Sequence, residues 1–114
     1  MKIILVADND HTREKGLMFH KELEKDECAF FKFNREAQHV FWNKNVSFPI
    51  SLIYCDASGE VKDIKTLEKE QTKPVKPESY DIKYVVETHI DAPEIYGIEK
   101  GKKMLKKDKE VIFQ

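Results

Sequence analysis

Residues 50–67 read Ile50-Ser51-Leu52-Ile53-Tyr54-Cys55-Asp56-Ala57-Ser58-Gly59-Glu60-Val61-Lys62-Asp63-Ile64-Lys65-Thr66-Leu67. The run from Ile50 to Asp56 is apolar and β-rich, and its length is that of a strand, not a helix. Ala57-Ser58-Gly59-Glu60 carries turn chemistry. Val61 to Leu67 then pairs back as the second strand. The stretch therefore predicts a β-hairpin with a tight turn.

Working outward, the same reasoning finds further short strands. Asp81 to Thr88 is one. Cys28 to Phe33 is another, with Phe31 and Phe33 on one face. Asn34-Arg35-Glu36 reads as a turn, and Gln38 to Trp42 reads as the strand after it, with Val40 and Trp42 sharing a face. Ile3 to Ala7 is a first strand, ended by Asp8-Asn9-Asp10. Asp10 or Thr12 can cap a helix of about two turns that ends near Gly16. Leu17-Met18-Phe19 forms an apolar knot expected to dock on the core. Residues 20–27 form a polar loop with Leu23 tucked in. Residues 68–80, with Pro74 and Pro77, form a long surface loop. Asp91-Ala92-Pro93 opens a second short helix that Gly97 ends. Met104 and Val111 to Phe113 supply the last strand or strands.

Strands follow strands without long helices between them, so parallel βαβ units are not expected. The fold class is mainly β. The expected architecture is a compact antiparallel β-sandwich or barrel-like single domain over residues 1–114, with one or two short helices.

Composition agrees and sets outer bounds. A chain of 114 residues is one domain's worth. With 40% hydrophobic and 36% charged residues it can build a core, and it lacks the roughly 20-residue apolar run of a membrane span. Lys plus Arg is 20 and Asp plus Glu is 21, so no global field draws the chain to nucleic acid or an anionic membrane. Arg13 and Arg35 are the only arginines. Lys and Glu enrichment matches a hyperthermophile-like bias, although an AT-rich genome also raises Lys. Cys28 and Cys55 sit in apolar runs and read as buried free thiols. The apolar N-terminus is too short for a signal segment, so the expected location is the cytoplasm.

Chemistry is sparsely marked. His11, His20, His39 and His89 show no metal-ligand spacing, and no cofactor or metal is expected. No glycine-rich phosphate loop and no nucleophile elbow occur. Six lysines crowd residues 100–109. Without interleaved aromatics or arginines they read as a solvated sheet edge, not as a nucleic-acid patch. The segment Phe41-Trp42-Asn43-Lys44-Asn45-Val46-Ser47-Phe48-Pro49 is the most distinctive. It holds the only Trp, flanked by Phe41 and Phe48, together with hydrogen-bonding Asn and Lys side chains. It reads either as a ligand-binding loop or as a core plug in which Asn43 and Asn45 satisfy turn backbone groups.

Several segments, taken in order, carry a family resemblance. They are Thr12-Arg13-Glu14-Lys15-Gly16-Leu17-Met18, Phe30-Phe31-Lys32-Phe33, Phe41-Trp42-Asn43-Lys44-Asn45 with Pro49, Asp56-Ala57-Ser58-Gly59-Glu60-Val61, and Tyr96-Gly97-Ile98-Glu99-Lys100-Gly101. Over nearly its whole length the chain resembles the domain of unknown function 192 family, as a divergent member. The resemblance implies a compact, mainly β domain and no particular reaction. Cys28, Ala29, Asn43, Val46, Ser51 and Lys102 depart from the family pattern. That pattern has Met where Asn43 stands and an Asp where Ser51 stands. The matching positions Arg13, Trp42, Lys44, Asn45 and Pro49 form the candidate ligand-binding site.

The function expected from these residues is non-enzymatic binding of a small polar or anionic ligand. Trp42 would offer a stacking face and Arg13, Lys44 and Asn45 would donate hydrogen bonds. A protein-interaction or structural domain ranks second. A small enzyme ranks third, with Glu14, Asp56 and His39 as acid–base nominees. The oligomeric state is not written in the sequence.

Overall fold

The elements follow from these patterns with four corrections. In the computed structural model, which describes residues 1–114, β1 (Lys2–Ala7), α1 (Asp10–Lys15), β2 (Glu27–Ala37), β3 (Ile50–Asp56), β4 (Val61–Leu67), β5 (Ile82–His89), α2 (Ala92–Ile95), β6 (Met104–Lys107) and β7 (Glu110–Phe113) succeed one another. The strands make one seven-stranded sheet in the order β4-β3-β5-β2-β1-β7-β6. The sheet curls into a half-barrel. Its two edges approach each other where the β3–β4 turn meets the segment before β6: the Met104 amide donates to the Gly59 carbonyl at 2.7 Å and the Val61 amide to the Lys102 carbonyl at 2.8 Å. Of the two expected forms, the barrel-like one is therefore the form taken.

The first correction concerns strand direction. β1 pairs parallel with β2, whereas every other strand pair is antiparallel. A parallel pair needs a crossover of a dozen or more residues. Residues 8–26 supply it with only the six residues of α1 helical, so a search for long helices misses it. The second concerns the cap. Asn9, not Asp10 or Thr12, caps α1. Its Oδ1 accepts from the Thr12 amide at 2.9 Å, and the Thr12 hydroxyl reciprocates by accepting from the Asn9 amide.

The third correction concerns Asn34-Arg35-Glu36, which lies within β2 and is no turn. The β2–β5 register jumps from Lys32↔Tyr84 to Ala37↔Ile82, so the turn-prone residues are absorbed as a bulge. The Lys83 ammonium closes it by donating to the Asn34 carbonyl at 2.9 Å. Consequently Gln38 to Trp42 is not a strand. Only Phe41 pairs, in a two-bond bridge with Val75 of the long loop. Fourth, the apolar knot docks only in part: Leu17 is buried, but Phe19 is 80% exposed.

Both faces of the curled sheet are covered. One core joins Ala29, Phe31, Leu52, Tyr54 and Val85 to Leu17, Leu23, Val46 and Phe48 from the connections. The other joins Cys28, Phe30, Ile53, Cys55 and Val86 to Ile98, Met104 and Val111 of the C-terminal segment. Covering on both faces explains the nearly unbroken apolar run of β3. β6 forms one edge of the sheet, and its exposed lysines suit that position.

Two expectations follow. Gly59 adopts φ +92°, and a Cβ there would meet the Met104 carbonyl oxygen at 2.5 Å. Gly59→Ala should cost about 2 kcal/mol or more in urea unfolding, because the obstructing atom is backbone and the backbone is strained for any other residue. Burial pushes the free thiols of Cys28 and Cys55 up to about 12 each. A thiol reagent at pH 8 should leave both untouched in the folded protein and modify both after denaturation.

Candidate functional site

Residues 38–49 lack regular structure, yet they are pinned. The buried Asn43 side chain does this. Its Nδ2 donates to the Phe48 and Glu68 carbonyls, both at 2.9 Å. The Asn43 amide donates to the Gln71 carbonyl at 2.7 Å, and the Glu70 amide to the Val46 carbonyl at 2.8 Å. These bonds tie the segment to the long loop. Phe41 points inward and packs edge-on against Phe31, Phe33 and Tyr54. Val40 and Trp42, on the opposite side, stay largely exposed; Trp42 keeps 46% of its surface. Trp42 is therefore no core plug.

Between this segment and α1 lies a concavity of about 270 Å³. Phe31, Phe33, Phe41 and Trp42 supply its aromatic wall, and α1 and the turn after it supply Arg13 to Met18. Of the candidate site residues, Arg13, Trp42 and Lys44 line this space. Asn45 and Pro49 do not. Asn45 instead supplies a left-handed turn (φ 60°), its amide donating to Glu70 Oε1 at 3.1 Å and its carbonyl accepting from the Phe19 amide. Pro49 sits half-buried just before β3.

The cations of the concavity are not equally free. The Arg13 guanidinium donates to the Lys32 carbonyl at 2.7 Å, pairs with Asp10 at 3.0 Å and lies 5.5 Å from the Phe33 ring centroid. The Lys44 ammonium lies 5.5 Å from the Trp42 ring centroid and has no carboxylate partner. Lys15 lines the same rim.

Sequence reasoning missed Glu87. It lies on β5, directly opposite Ala29 of β2 and Leu52 of β3. Alternation along β5 places it with Val85 on the side of the first core. It is 4% exposed and lines the concavity. No protein group hydrogen-bonds to it or pairs with it, and burial alone pushes its carboxyl up from 4.5 to about 8. The signal was available: an acid in the middle of Tyr84-Val85-Val86-Glu87-Thr88, in phase with Val85, is a charge on a core face.

The acid–base nominees scatter. Glu14 is exposed at the rim of the concavity. His39 stacks on Phe33 at 3.6 Å between centroids, with Nε2 3.0 Å from the Arg35 carbonyl. Burial, with the charges of Arg13 and Arg35, lowers its pKa. Asp56 belongs to the β3–β4 turn. Its partial burial opposes ionisation, but hydrogen bonds from the Ser58 hydroxyl and from the Glu60 and Ser58 amides prevail and hold the carboxyl below its ordinary value. Ser51, where the family pattern has an acid, lies with Ile53 and Cys55 on the other side of β3, its hydroxyl donating to the Ile90 carbonyl at 3.0 Å. No group of three or more His, Cys, Asp or Glu side chains is placed to hold a metal ion, and no helix is long and apolar enough to cross a membrane.

Glu87 sets a stability expectation. Its pKa is raised in the folded state, so between 4.5 and about 8 the folded chain holds a proton that the unfolded chain has released. Stability from this group is intact at low pH and falls as pH rises through that window, by on the order of a few kcal/mol in all. Glu87→Gln removes the term. In urea unfolding, the variant should gain on the natural chain steadily from pH 5 to pH 8 and gain no more above it.

Comparison with known proteins places this geometry in context. The family model described as "Uncharacterized ACR", the DUF192 family, matches residues 3–105. Among solved structures, a proposed transcription regulator of Sinorhizobium meliloti 1021 superposes with a TM-score of 0.82 at 20% identity, over 87% of this chain and 78% of that one. A protein of unknown function from Novosphingobium aromaticivorans DSM 12444 superposes with a TM-score of 0.79 at 25% identity, over 86% of this chain and 70% of that one. No curated protein matches. The superpositions describe a shared fold, and the family match extends over nearly the whole sequence: the chain belongs to the domain of unknown function 192 family.

Proposed function

We propose that this protein binds a small polar ligand in the concavity between α1 and residues 40–46, without making or breaking bonds. One observation carries the reading. A buried carboxyl without a partner, Glu87, lies among the aromatic rings of a concavity whose rim carries cations. Burying a carboxyl without a hydrogen bond is costly, and in a closed core nothing offsets it. Where the group borders an accessible space, a ligand can supply the missing partner. The aromatic wall adds apolar contact and a stacking face. At about 270 Å³ the space lies just below the roughly 300 Å³ at the small end of ligand pockets, which limits the occupant to a small molecule.

Acid–base catalysis is the second reading, and the near-neutral Glu87 is the observation that favours it. It would require a bound compound to be converted, which appears directly as new product signals in a proton spectrum of the mixture.

The test is a thermal-shift screen against sugars, nucleotides, organic acids and amino acids. A ligand at 100 times its dissociation constant adds about 2.7 kcal/mol, a shift of roughly ten degrees for a domain of this size. Trp42 is the only Trp, so its fluorescence reports on this site alone. A true ligand should change that fluorescence, and its thermal shift should largely vanish in Trp42→Ala and Lys44→Ala. Both side chains are exposed, so neither change should disturb the core. A compound that stabilises both variants as well as the natural chain binds elsewhere and defeats the proposal.

A further inference from the structure

We infer that the concavity takes a small zwitterion, its amino head on the Glu87 carboxyl and its anionic group held by Lys44 and Lys15 at the rim. This deepens the ligand-binding reading, rests on it, and commits to a chemical class that the reading leaves open.

The innermost polar groups of the concavity ask for hydrogen-bond donors. The Glu87 carboxyl has no partner in the protein. Asn43, the second buried polar residue of the lining, has spent its amide nitrogen on the Phe48 and Glu68 carbonyls, and its Oδ1 is buried without any donor. Both oxygens accept, and the Glu87 carboxylate, which borders the space, goes unsatisfied unless the occupant brings N–H groups. An ammonium carries three. The aromatic lining adds apolar contact for the body of the occupant.

The rim asks for the opposite. Lys15 and Lys44 have no carboxylate partner, and the Lys44 ammonium rests against Trp42 alone. Arg13 adds charge there, although its hydrogen bonds go to Asp10 and Lys32. Glu14 is the one acid beside them. A simple amine would satisfy the interior and be repelled at the entrance. A simple anion would satisfy the entrance and leave Glu87 and Asn43 unpaired. A molecule with both charges, of amino-acid size, satisfies both ends at once.

The charged and titratable surroundings of Glu87 can be named element by element. From β3 comes Tyr54, whose buried hydroxyl is unpartnered and whose own pKa is raised by burial first and by Glu87 and Asp63 after it. Asp63 is the buried acid of β4, bonded to the Ile64 and Glu78 amides. α1 and its flank give Arg13, Glu14 and Lys15, and the 38–49 segment gives Lys44. Neither β1, β2 nor α2 contributes an ionisable side chain to the lining. In the protein alone, burial keeps the Glu87 proton on until about pH 8. An ammonium binds the ionised form, so binding expels that proton. Affinity should therefore rise about tenfold from pH 6 to pH 7, rise further towards pH 8 and then level off.

The experiment uses the full chain and three matched probe sets: free amino acids with β-alanine and taurine, their N-acetyl derivatives, and the amino acid methyl esters. Binding is followed by amide chemical shifts at pH 6, 7 and 8. The expected result is a free zwitterion that binds at least tenfold more tightly than both of its singly charged analogues. Its affinity should show the stated rise with pH. Glu87→Gln should flatten that rise and cost at least tenfold. Lys15→Ala with Lys44→Ala should bring the zwitterion down to the level of its ester. If Glu87→Gln does not fold, the analogue series and the pH slope of the natural chain decide the matter. Equal binding of the N-acetyl derivative, or affinity that falls towards pH 8, overturns the inference. So does silence from every zwitterion while another class binds at Trp42, an outcome that leaves the ligand-binding reading standing. Silence from every class overturns both.

Discussion

The register of β5 between β2 and β3 is the constraint on which the rest depends. β5 is laddered on both sides, opposite Cys28 to Lys32 on one flank and Ile50 to Asp56 on the other. Side chains alternate across a strand, so a slip of one residue would exchange its two faces. Val85 would leave the first core, Val86 would leave the second, and Glu87 would move to the other side of the sheet. Two cores hold this register at once. That explains how an acid can be kept on a buried face: a register slip that moved Glu87 across the sheet would unpack both layers. The unfavourable carboxyl is held in place by its apolar neighbours along the strand.

The concavity needs a second constraint, because a sheet alone does not enclose space. α1 and residues 38–49 stand over the same face of β2, and neither is held by a long regular element. α1 is closed by the Asn9–Thr12 capping box, then by the Arg13 bond to the Lys32 carbonyl. The 38–49 segment is held by Asn43 and by Phe41, which fills the gap between Phe31, Phe33 and Tyr54. Each wall thus rests on a polar tie to backbone and on contact with the first core. Two short, separately anchored walls leave an open space over the strand that carries Glu87. One continuous helix packed there would have filled it.

How much of this was legible in the sequence depends on how local the determinant is. The β3–β4 hairpin, β5, both short helices and the burial of Leu17 and Leu23 follow from period, turn residues and punctuation within a few positions. The errors arise where a distant partner overrides the local signal. Asn34-Arg35-Glu36 has turn chemistry, but pairing with β5 and the Lys83 contact make a bulge of it. Gln38 to Trp42 alternates like a strand, but only Phe41 finds a partner, Val75 of the long loop. The parallel β1–β2 pair depends on where the chain returns after 19 residues of mostly irregular crossover, which no window of sequence reports. The site shows the same division. Trp42 and Lys44 are on view as unusual residues in an unusual loop, and Arg13 as one of only two arginines. Glu87 stands out only when its phase against Val85 is followed and its neighbours are known.

The departures from the family pattern acquire meaning once they are placed in space. Cys28, Ser51 and Lys102 lie away from the concavity, in or beside the second core and its closing segment. The loss of an acid at Ser51 therefore leaves the concavity untouched. Asn43 and Val46 line it, and Ala29 stands directly opposite Glu87. The first two are changes in the lining itself. A Met at position 43 would supply neither the two ties to the Phe48 and Glu68 carbonyls nor the free Oδ1. The segment would then need another anchor. With Met at position 43, the lining would present a different interior to whatever enters.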